Sequence, residues 1–405
     1  MAGCLEQERV VENALCQRRF VHRCVGGPAV GHYTFVGCDA HNKTLLLKVA
    51  MDREASRQRS FANTRSGRKA LVCWLLGVAR EAGASTAYVV YEASGLGFTL
   101  YDELTAAGVR CSVLAPTKIA RSPQHRRRKC DAKDAERLLD IVRAHVLAGS
   151  ELPAVWVPGH EVRDAREVVR GRLAVAKRLT AAKTEVRSLL TRRGVERPKR
   201  LGKGWSKAFR AWLSGLVEGH GPLLWGARVL LASLMAQVEF LEGELHYFDE
   251  QVMVLAHQER HAAAVEAMTS VKGVGELTAL AVLTELGDVR RFSRRGQVAA
   301  YAGLVPRTDE SGEAADHKGH ITKQGPSRLR GVLSQAAHSW VRWDPAAKAA
   351  YERLVARNPK HKKIALVAMM RRLLIRLWHR GVDALRASPC PGSAAEPDGA
   401  AGVRR

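Results

Sequence analysis

One series of apolar residues restricts the fold of this chain more than any other feature. Its members alternate spacings of three and four: Leu231, Leu234, Val238, Leu241, Leu245, Phe248, Val252 and Leu255. This spacing places the apolar side chains on one stripe of a single long helix, which a partner helix must cover. A similar series lies between residues 162 and 189. Together the two series predict an antiparallel coiled-coil arm.

The segment between the two series is rich in cations, glycine and tryptophan. It spans residues 192–226 and should form a short helix near residues 205–217 at a basic tip of the arm. Heptad spacing does not identify the partner of a helix. The arm could therefore be closed within one chain, or it could pair two subunits.

The region before the arm has the pattern of an α/β domain. Strands are predicted near residues 33–38, 44–50, 87–91 and 110–114, with the first two joined as a hairpin. Helices are predicted near residues 66–82 and 97–107. Strands alternating with helices favour a mixed sheet.

Four carboxylates stand where this α/β domain could build a site. Asp39 and Glu92 follow strands, and Asp131 and Asp134 share one face of a helix predicted to begin near residue 131. Each has an ordinary alternative: strand-end acids are often solvated, and Asp131 as N-cap with Asp134 at N3 would cap the helix. If the four converge, they would bind Mg²⁺, which prefers oxygen ligands and supports phosphodiester chemistry.

The charge of the chain favours a polyanionic partner. There are 65 Lys and Arg residues against 40 Asp and Glu, a net charge of +25. A run of cations precedes the acidic helix, and we expect it to hold a nucleic-acid backbone: Arg126, Arg127, Arg128 and Lys129. The cations are spread along the chain, which favours nucleic acid over a membrane surface. The 8 cysteines form no CxxC pair, which argues against a zinc site.

Two further motifs lie beyond the arm. Lys272, Gly273 and Gly275 fit a helix-hairpin-helix, in which a glycine turn exposes backbone N–H groups to phosphate, although such turns are often purely structural. Ser311 lies in a polar Ser-Gly turn, an ordinary loop by itself. Cations that could stabilise attack by a serine on a phosphodiester surround it in sequence: Arg307, Lys318, Lys323 and Arg328.

The rest of the chain is expected to be helical, at residues 328–342, 346–357 and 361–380. Residues 1–31 are polar and predict a loosely held extension. Residues 386–405 are rich in Pro and Gly and predict a disordered tail. No apolar run reaches the length of a membrane span, and the first 30 residues lack the core of a signal peptide. We therefore expect a cytoplasmic protein.

The order of the motifs resembles that of bacterial insertion-sequence transposases of the one-ten family, the bridge-RNA-guided recombinases. The resemblance covers about residues 33–380. The segments that carry it are Val36-Gly37-Cys38-Asp39, Tyr91-Glu92-Ala93-Ser94-Gly95, Lys129-Cys130-Asp131-Ala132-Lys133-Asp134-Ala135, Val271-Lys272-Gly273-Val274-Gly275, Tyr301-Ala302-Gly303-Leu304-Val305-Pro306-Arg307, Glu310-Ser311-Gly312 and Gly319-His320-Ile321-Thr322-Lys323-Gln324-Gly325. Cys130 stands where a threonine is usual.

The resemblance implies a RuvC-like DEDD domain with an RNase H fold at residues 32–150, an arm at 151–260 and an all-α transposase domain at 261–385. It implies that Asp39, Glu92, Asp131 and Asp134 bind Mg²⁺ and that Ser311 forms a phosphoserine link to DNA. It also implies donor and target DNA, a noncoding guide RNA, and a homo-oligomer, dimer or tetramer, assembled through the coiled-coil arm.

Two other functions are compatible with the residues. A RuvC-like junction nuclease would use metal-activated water and form no covalent intermediate. A non-catalytic nucleic-acid-binding scaffold would use the acids as helix caps and the basic surface as a coat. Trapping of a protein–DNA adduct and binding in EDTA distinguish the three.

Overall fold

The computed structural model describes residues 32–83, 87–119, 130–308 and 318–387. The predicted extension, the cation run Arg126 to Lys129 and Ser311 lie outside these ranges, as does the predicted tail beyond Ala387. The chain divides between Gly159 and His160 into two compact units. Within the described ranges, no helix combines the length and apolar character that crossing a bilayer requires.

The described residues of the N-terminal unit form five strands and three α-helices. The strands are β1 (Thr34–Ala40), β2 (Thr44–Met51), β3 (Arg57–Ala62), β4 (Ala87–Glu92) and β5 (Arg110–Leu114), and the helices are α1 (Arg65–Glu81), α2 (Thr99–Ala106) and α3 (Asp131–Ala148). The sheet order is β3-β2-β1-β4-β5. β1 is antiparallel to β2 and parallel to β4, which confirms the predicted hairpin and mixed sheet.

The strand residues alternate between the two faces of this sheet, as a period of two requires. On one face Val36, Cys38, Val89 and Tyr91 pack with residues of α1 and α2. On the other face Phe35, Tyr88 and Val90 pack with Leu138 and Leu139 of α3. The unit therefore has three layers, and α3 covers one face alone among the described helices of this unit.

The C-terminal unit is helical with one small hairpin. Its helices are α4 (His160–Arg192), α5 (Lys207–Glu218), α6 (Trp225–Ala256), α7 (Glu259–Thr269), α8 (Glu276–Leu286), α9 (Arg295–Tyr301), α10 (Ser327–Trp343), α11 (Pro345–Arg357) and α12 (Lys362–Ala387), and the hairpin is β6 (Pro306–Thr308) with β7 (Lys318–Ile321). Three-residue 3-10 helices lie at Lys199–Leu201, Val289–Arg291 and Pro359–His361 here, and at Pro116–Lys118 in the first unit.

The two long helices α4 and α6 run antiparallel and pack against each other. Ion pairs join Arg172 to Asp249 at 2.8 Å and Lys183 to Glu242 at 2.7 Å, so residues later in α4 meet residues earlier in α6. The heptad series of α6 is buried or partly buried at this seam. Of the two arrangements left open by the spacing, the one within a single chain is present for this pair.

Four sequence-based expectations differ from the structure. The domain expected to be all-α contains the β6–β7 hairpin, because Pro306 to Thr308 pair with Lys318 to Ile321. The strand β3 was not predicted, because its sequence Arg-Gln-Arg-Ser-Phe-Ala forms a mostly exposed sheet edge without an apolar alternation. Asp39 does not terminate β1, which continues to Ala40. The last helix continues past residue 380 to Ala387, and Val382 beyond the predicted end is buried in the helical core. Gly381 lies within this helix and lets Met268 approach closely.

Candidate functional site

The first two predicted site residues lie side by side at one edge of the sheet. Asp39 is the penultimate residue of β1, and Glu92 is the last residue of β4. The parallel register pairs Cys38 with Tyr91, so Asp39 and Glu92 are the next neighbours across the two strands. By alternation both belong to the face that α3 covers, because Phe35 and Val90 do.

Gly37 determines how close α3 comes to this edge. A Cβ atom at Gly37 would lie 2.1 Å from the carbonyl oxygen of Ala135 and 2.4 Å from the backbone nitrogen of Leu139. The helix therefore rests directly on the backbone of β1, two residues before Asp39. This contact brings the N-terminal end of α3 over the end of the strand.

The N-terminal turn of α3 supplies the other two acids. Its N-cap is Cys130, whose side chain makes no capping hydrogen bond, and Asp131 is the first helical residue. The alternative in which Asp131 is the N-cap is therefore wrong, since the chain is extended only up to residue 130. Asp134 lies 3.7 Å from Arg137 and is partly buried.

A histidine that the sequence argument missed joins two of the acids. His41 Nε2 lies 3.1 Å from Oδ2 of Asp39 and 3.5 Å from Oδ1 of Asp131. The turn fixes its backbone: His41 donates its N–H to Thr44 at 2.8 Å, and its carbonyl accepts from Asn63 at 2.8 Å. The spacing Asp-x-His at a strand end was the available signal, because residues i and i+2 of a strand lie on the same face.

The electrostatics of Asp39 are those of a crowded acidic site. Burial raises the pKa of Asp39, and the nearby carboxylates of Asp131 and Asp134 raise it further. His41 lowers that pKa by its charge and its hydrogen bond. Burial and the neighbouring carboxylates outweigh the histidine, so the net shift of the Asp39 pKa is upward, and a bound cation would oppose it.

The donor set fits a divalent cation. One ligand atom each from Asp39, His41 and Asp131 lies within 4.8 Å of the other two, the sole such group among the described residues. Two carboxylates and an imidazole are common ligands of divalent metals. Glu92 and Asp134 lie outside this group, although Asp134 is near enough to affect the pKa of Asp39. The acidic cluster could therefore bind a metal ion.

The glycine turn between α7 and α8 has two different faces. Gly273 has a φ of 80°, and a Cβ there would lie 2.7 Å from the backbone of Ser339 in α10, so this glycine is required for packing. Gly275 is the N-cap of α8 and has no atom near its missing side chain. Lys272 is exposed. Open approach for an anion is thus restricted to Lys272 and the Gly275 end of the turn.

The predicted cations around Ser311 flank a segment that the structure does not describe. Arg307 is exposed in β6, Lys318 begins β7, and Arg328 is exposed in the first turn of α10. Lys323 is exposed and has a φ of 53°, a backbone conformation uncommon outside glycine. Ser311 itself lies between β6 and β7 in sequence.

Comparison with known proteins identifies two family regions. Residues 36–193 match the DEDD transposase model of the IS110 family, described as "Transposase". Residues 265–352 match "Transposase IS116/IS110/IS902 family". The first match contains Asp39, Glu92, Asp131 and Asp134, and the second contains Gly273 and Ser311.

Individual relatives agree. "Putative transposase y4rJ" of Sinorhizobium fredii is 31% identical over 72% of this chain and 76% of its own length. "Transposase for insertion sequence element IS1111A" of Coxiella burnetii is 27% identical over 65% of this chain and 69% of its own. "Pilin gene-inverting protein" of Moraxella bovis is 27% identical over 33% of this chain and 44% of its own.

The mixed sheet with its acidic edge is thus a RuvC-like DEDD domain, followed by a helical C-terminal region. The chain belongs to the IS110 family of insertion-sequence transposases, a family of DNA recombination enzymes.

Proposed function

We propose that this transposase cleaves and exchanges DNA strands with Mg²⁺ at the acidic edge and Ser311 as the nucleophile. The observation that carries the proposal is the convergence of Asp39 and Asp131 from two separate elements, with Glu92 on the adjacent strand end and Asp134 nearby. Bound Mg²⁺ would offset the mutual repulsion of these carboxylates and supply Lewis acidity beside a phosphodiester.

The proposed covalent step uses one hydroxyl. The oxygen of Ser311 attacks a DNA phosphorus and forms a phosphoserine bond, while the phosphorus releases a deoxyribose hydroxyl that takes up a proton. Religation reverses these changes with a hydroxyl from another strand. Two groups of cations would bind and neutralise the phosphates: Arg307, Lys318, Lys323 and Arg328 on either side of Ser311 in sequence, and Arg126, Arg127, Arg128 and Lys129, which precede Asp131 in sequence.

The paired helices α4 and α6 would form the coiled-coil arm of a homo-oligomer, a dimer or tetramer. Phe240, Tyr247 and Val254 recur at intervals of seven on α6 and are 67%, 54% and 59% exposed. They lie outside the seam with α4, so a second copy of the arm could cover them. The turn at Lys272, Gly273 and Gly275 would act as a helix-hairpin-helix on DNA, and a noncoding guide RNA would select the DNA sites.

The test is a suicide DNA substrate incubated with the full chain and its RNA. We expect a denaturation-resistant protein–DNA adduct in Mg²⁺, no adduct from Ser311→Ala, and none from Asp39→Asn. Ser293→Ala is the matched control, because Ser293 is an exposed serine whose bonds are local to Gln297.

Two results would contradict the proposal in different ways. Cleaved DNA without any adduct would favour the junction nuclease that uses metal-activated water. Binding without cleavage, unchanged by EDTA or by Asp39→Asn, would favour the non-catalytic scaffold.

A further inference from the structure

His41 occupies the place of a ligand at the acidic edge. For metal–ligand bonds of about 2.1 Å, adjacent ligand atoms of an octahedral ion lie about 3 Å apart. Nε2 of His41 lies 3.1 Å and 3.5 Å from oxygens of Asp39 and Asp131. These two separations are close to those of neighbouring ligands around one ion, and the ligand atoms of Asp39 and Asp131 lie within 4.8 Å of each other.

The surroundings keep His41 in this position. Its residue closes the β1–β2 turn, with backbone hydrogen bonds to Thr44 and Asn63, while the side chain is 38% exposed. Nε2 of His41 and Oδ2 of Asp39 lie at hydrogen-bond distance. Coordination of a cation through Nε2 would use the neutral tautomer that carries its proton on Nδ1.

We propose that His41 is an inner-sphere ligand of the catalytic cation and that its nitrogen makes this site prefer Mn²⁺ over Mg²⁺. Mg²⁺ takes almost only oxygen ligands, whereas Mn²⁺, the first metal of the Irving–Williams series, combines carboxylate oxygens with an imidazole nitrogen more readily. The inference rests on the proposed function of the acidic edge, and it adds a residue outside the four acids.

The test measures ligation directly in the full-length protein loaded with Mn²⁺. Pulsed electron paramagnetic resonance detects the ¹⁴N coupling of a coordinated imidazole. We expect this coupling in the wild type and its loss in His41→Ala. Titration should show Mn²⁺ affinity falling by about tenfold or more in that variant, with a smaller change for Mg²⁺.

His32→Ala is the matched control. His32 forms another histidine–aspartate pair in the same unit, 2.9 Å from Asp52. Its removal should leave both the coupling and the affinity unchanged.

The outcomes separate this inference from the proposed function. Bound Mn²⁺ without ¹⁴N coupling in the wild type, or coupling that survives in His41→Ala, overturns the role of His41 while the acidic metal site stands. If neither Mn²⁺ nor Mg²⁺ binds to the wild type, the metal-dependent mechanism and the inference fall together.

A second, independent feature is an arginine groove in the C-terminal unit between α9 and α12. It encloses about 570 Å³, and its charged lining comprises Arg295, Arg371, Arg372, Arg376, Arg380 and Asp383 beside His379. Arg376 lies 3.8 Å from Asp344. Within the described ranges no acid is ion-paired to the other four arginines.

The charge and shape of the arginine groove indicate its ligand. Five guanidinium groups against one carboxylate repel one another unless a polyanion is present. Arg372, Arg376 and Arg380 follow at intervals of four, about 6 Å along the helix, close to the axial separation of about 7 Å between every second phosphate of one DNA strand. No Phe, Tyr or Trp lines the groove, whereas single-strand sites use aromatic rings for stacking.

We infer that the arginine groove binds the phosphate backbone of duplex DNA without reading its sequence. The test is fluorescence anisotropy with a duplex of random sequence over a range of salt concentrations, using the double variant Arg372→Gln/Arg380→Gln. The slope of log affinity against log salt should fall by about 1.8 for two lost phosphate contacts.

The control variant for the arginine groove carries the same change of charge elsewhere. Arg353→Gln/Arg357→Gln alters exposed arginines of α11 outside the groove and should leave the slope unchanged. Equal slopes for the two double variants overturn the inference. A loss confined to structured RNA, with duplex DNA binding intact, overturns the assignment to DNA. A wild type that binds no nucleic acid contradicts the proposed function itself.

Discussion

The contact at Gly37 gives the sharpest prediction about the acidic edge, because a single methyl group tests it. In Gly37→Ala the new Cβ would start 2.1 Å from the carbonyl oxygen of Ala135. Real Cβ atoms essentially never come under 3.0 Å, so α3 must retreat from β1 by about 0.9 Å or more. Both obstacles are backbone atoms, and a rotamer change cannot relieve the clash.

The retreat has two consequences. Overpacking of this kind costs about 1–3 kcal/mol of stability, and backbone against backbone belongs at the upper end. It also moves Asp131 away from Asp39 and His41 by a distance comparable to the tolerance of a metal site. Displacement of supporting structure weakens metal affinity by about 10–100-fold.

Two measurements check this prediction: urea unfolding monitored by circular dichroism, and Mn²⁺ titration of the folded protein. The control is Gly77→Ala in α1, where nothing lies within 4 Å of the new methyl group. Since alanine is the better helix former, that variant should gain up to about 1 kcal/mol. Wild-type stability together with wild-type Mn²⁺ affinity in Gly37→Ala would refute the argument that α3 is seated on β1.

Three further predictions concern charge. Because burial and neighbouring acids raise the pKa of Asp39, its ionisation costs stability as the pH rises above 3.8; Asp39→Asn should therefore melt at a higher temperature than the wild type at pH 7 without metal, and an unchanged or lower melting temperature would contradict this. Burial lowers the pKa of His261 to about 4, so the folded state binds fewer protons than the unfolded state between pH 6.5 and 4; because the ring is partly exposed, stability should fall by about 1–2 kcal/mol over that range, and the fall should be smaller in His261→Phe. Glu285, 3% exposed, accepts two hydrogen bonds from Arg170, at 2.8 and 2.9 Å; Glu285→Ala should cost about 3–5 kcal/mol in urea unfolding, and a loss below about 1 kcal/mol would show that water compensates the arginine.

The sequence predicted those parts of the fold whose signals are local. The alternation of β1 and β4 and the heptads of α6 are each contained in a short window, and the structure confirms the elements. The edge strand β3 has no such local signal, because its residues face solvent and its extended conformation depends on pairing with β2. The packing of Gly381 inside the last helix likewise has no local signal, because the side chain that it accommodates, Met268, is distant in sequence.

The candidate site shows a similar division. Asp39 and Glu92 could be placed at strand ends from the strand pattern alone, whereas the pairing of the two strands came from the structure. The role of Gly37 could not be predicted from the sequence, because it depends on how closely α3 packs against the backbone of β1. His41 was not predicted, because only acids were considered as ligands. The spacing Asp39-x-His41 was the available signal, since residues i and i+2 of a strand lie on the same face.

The close backbone packing in the C-terminal unit lies on both sides of the segment that contains Ser311. A Cβ atom at Gly303 would clash with the backbone of Gln324, and a Cβ atom at Gly325 would clash with the backbone of Tyr301. The close approach of these two segments therefore depends on both glycines. Arg330 donates hydrogen bonds to the carbonyl oxygens of Ala302 and Gly325, both at 3.2 Å, and so links the same two segments. A nucleophile must reach its target within a fraction of an ångström, and the cost of misplacement is steep. Residues 301–303 and 324–325 are thus held together close to the ends of the β6–β7 hairpin. Substitution of Gly303 or Gly325 by alanine should therefore lower the rate of the proposed attack by Ser311.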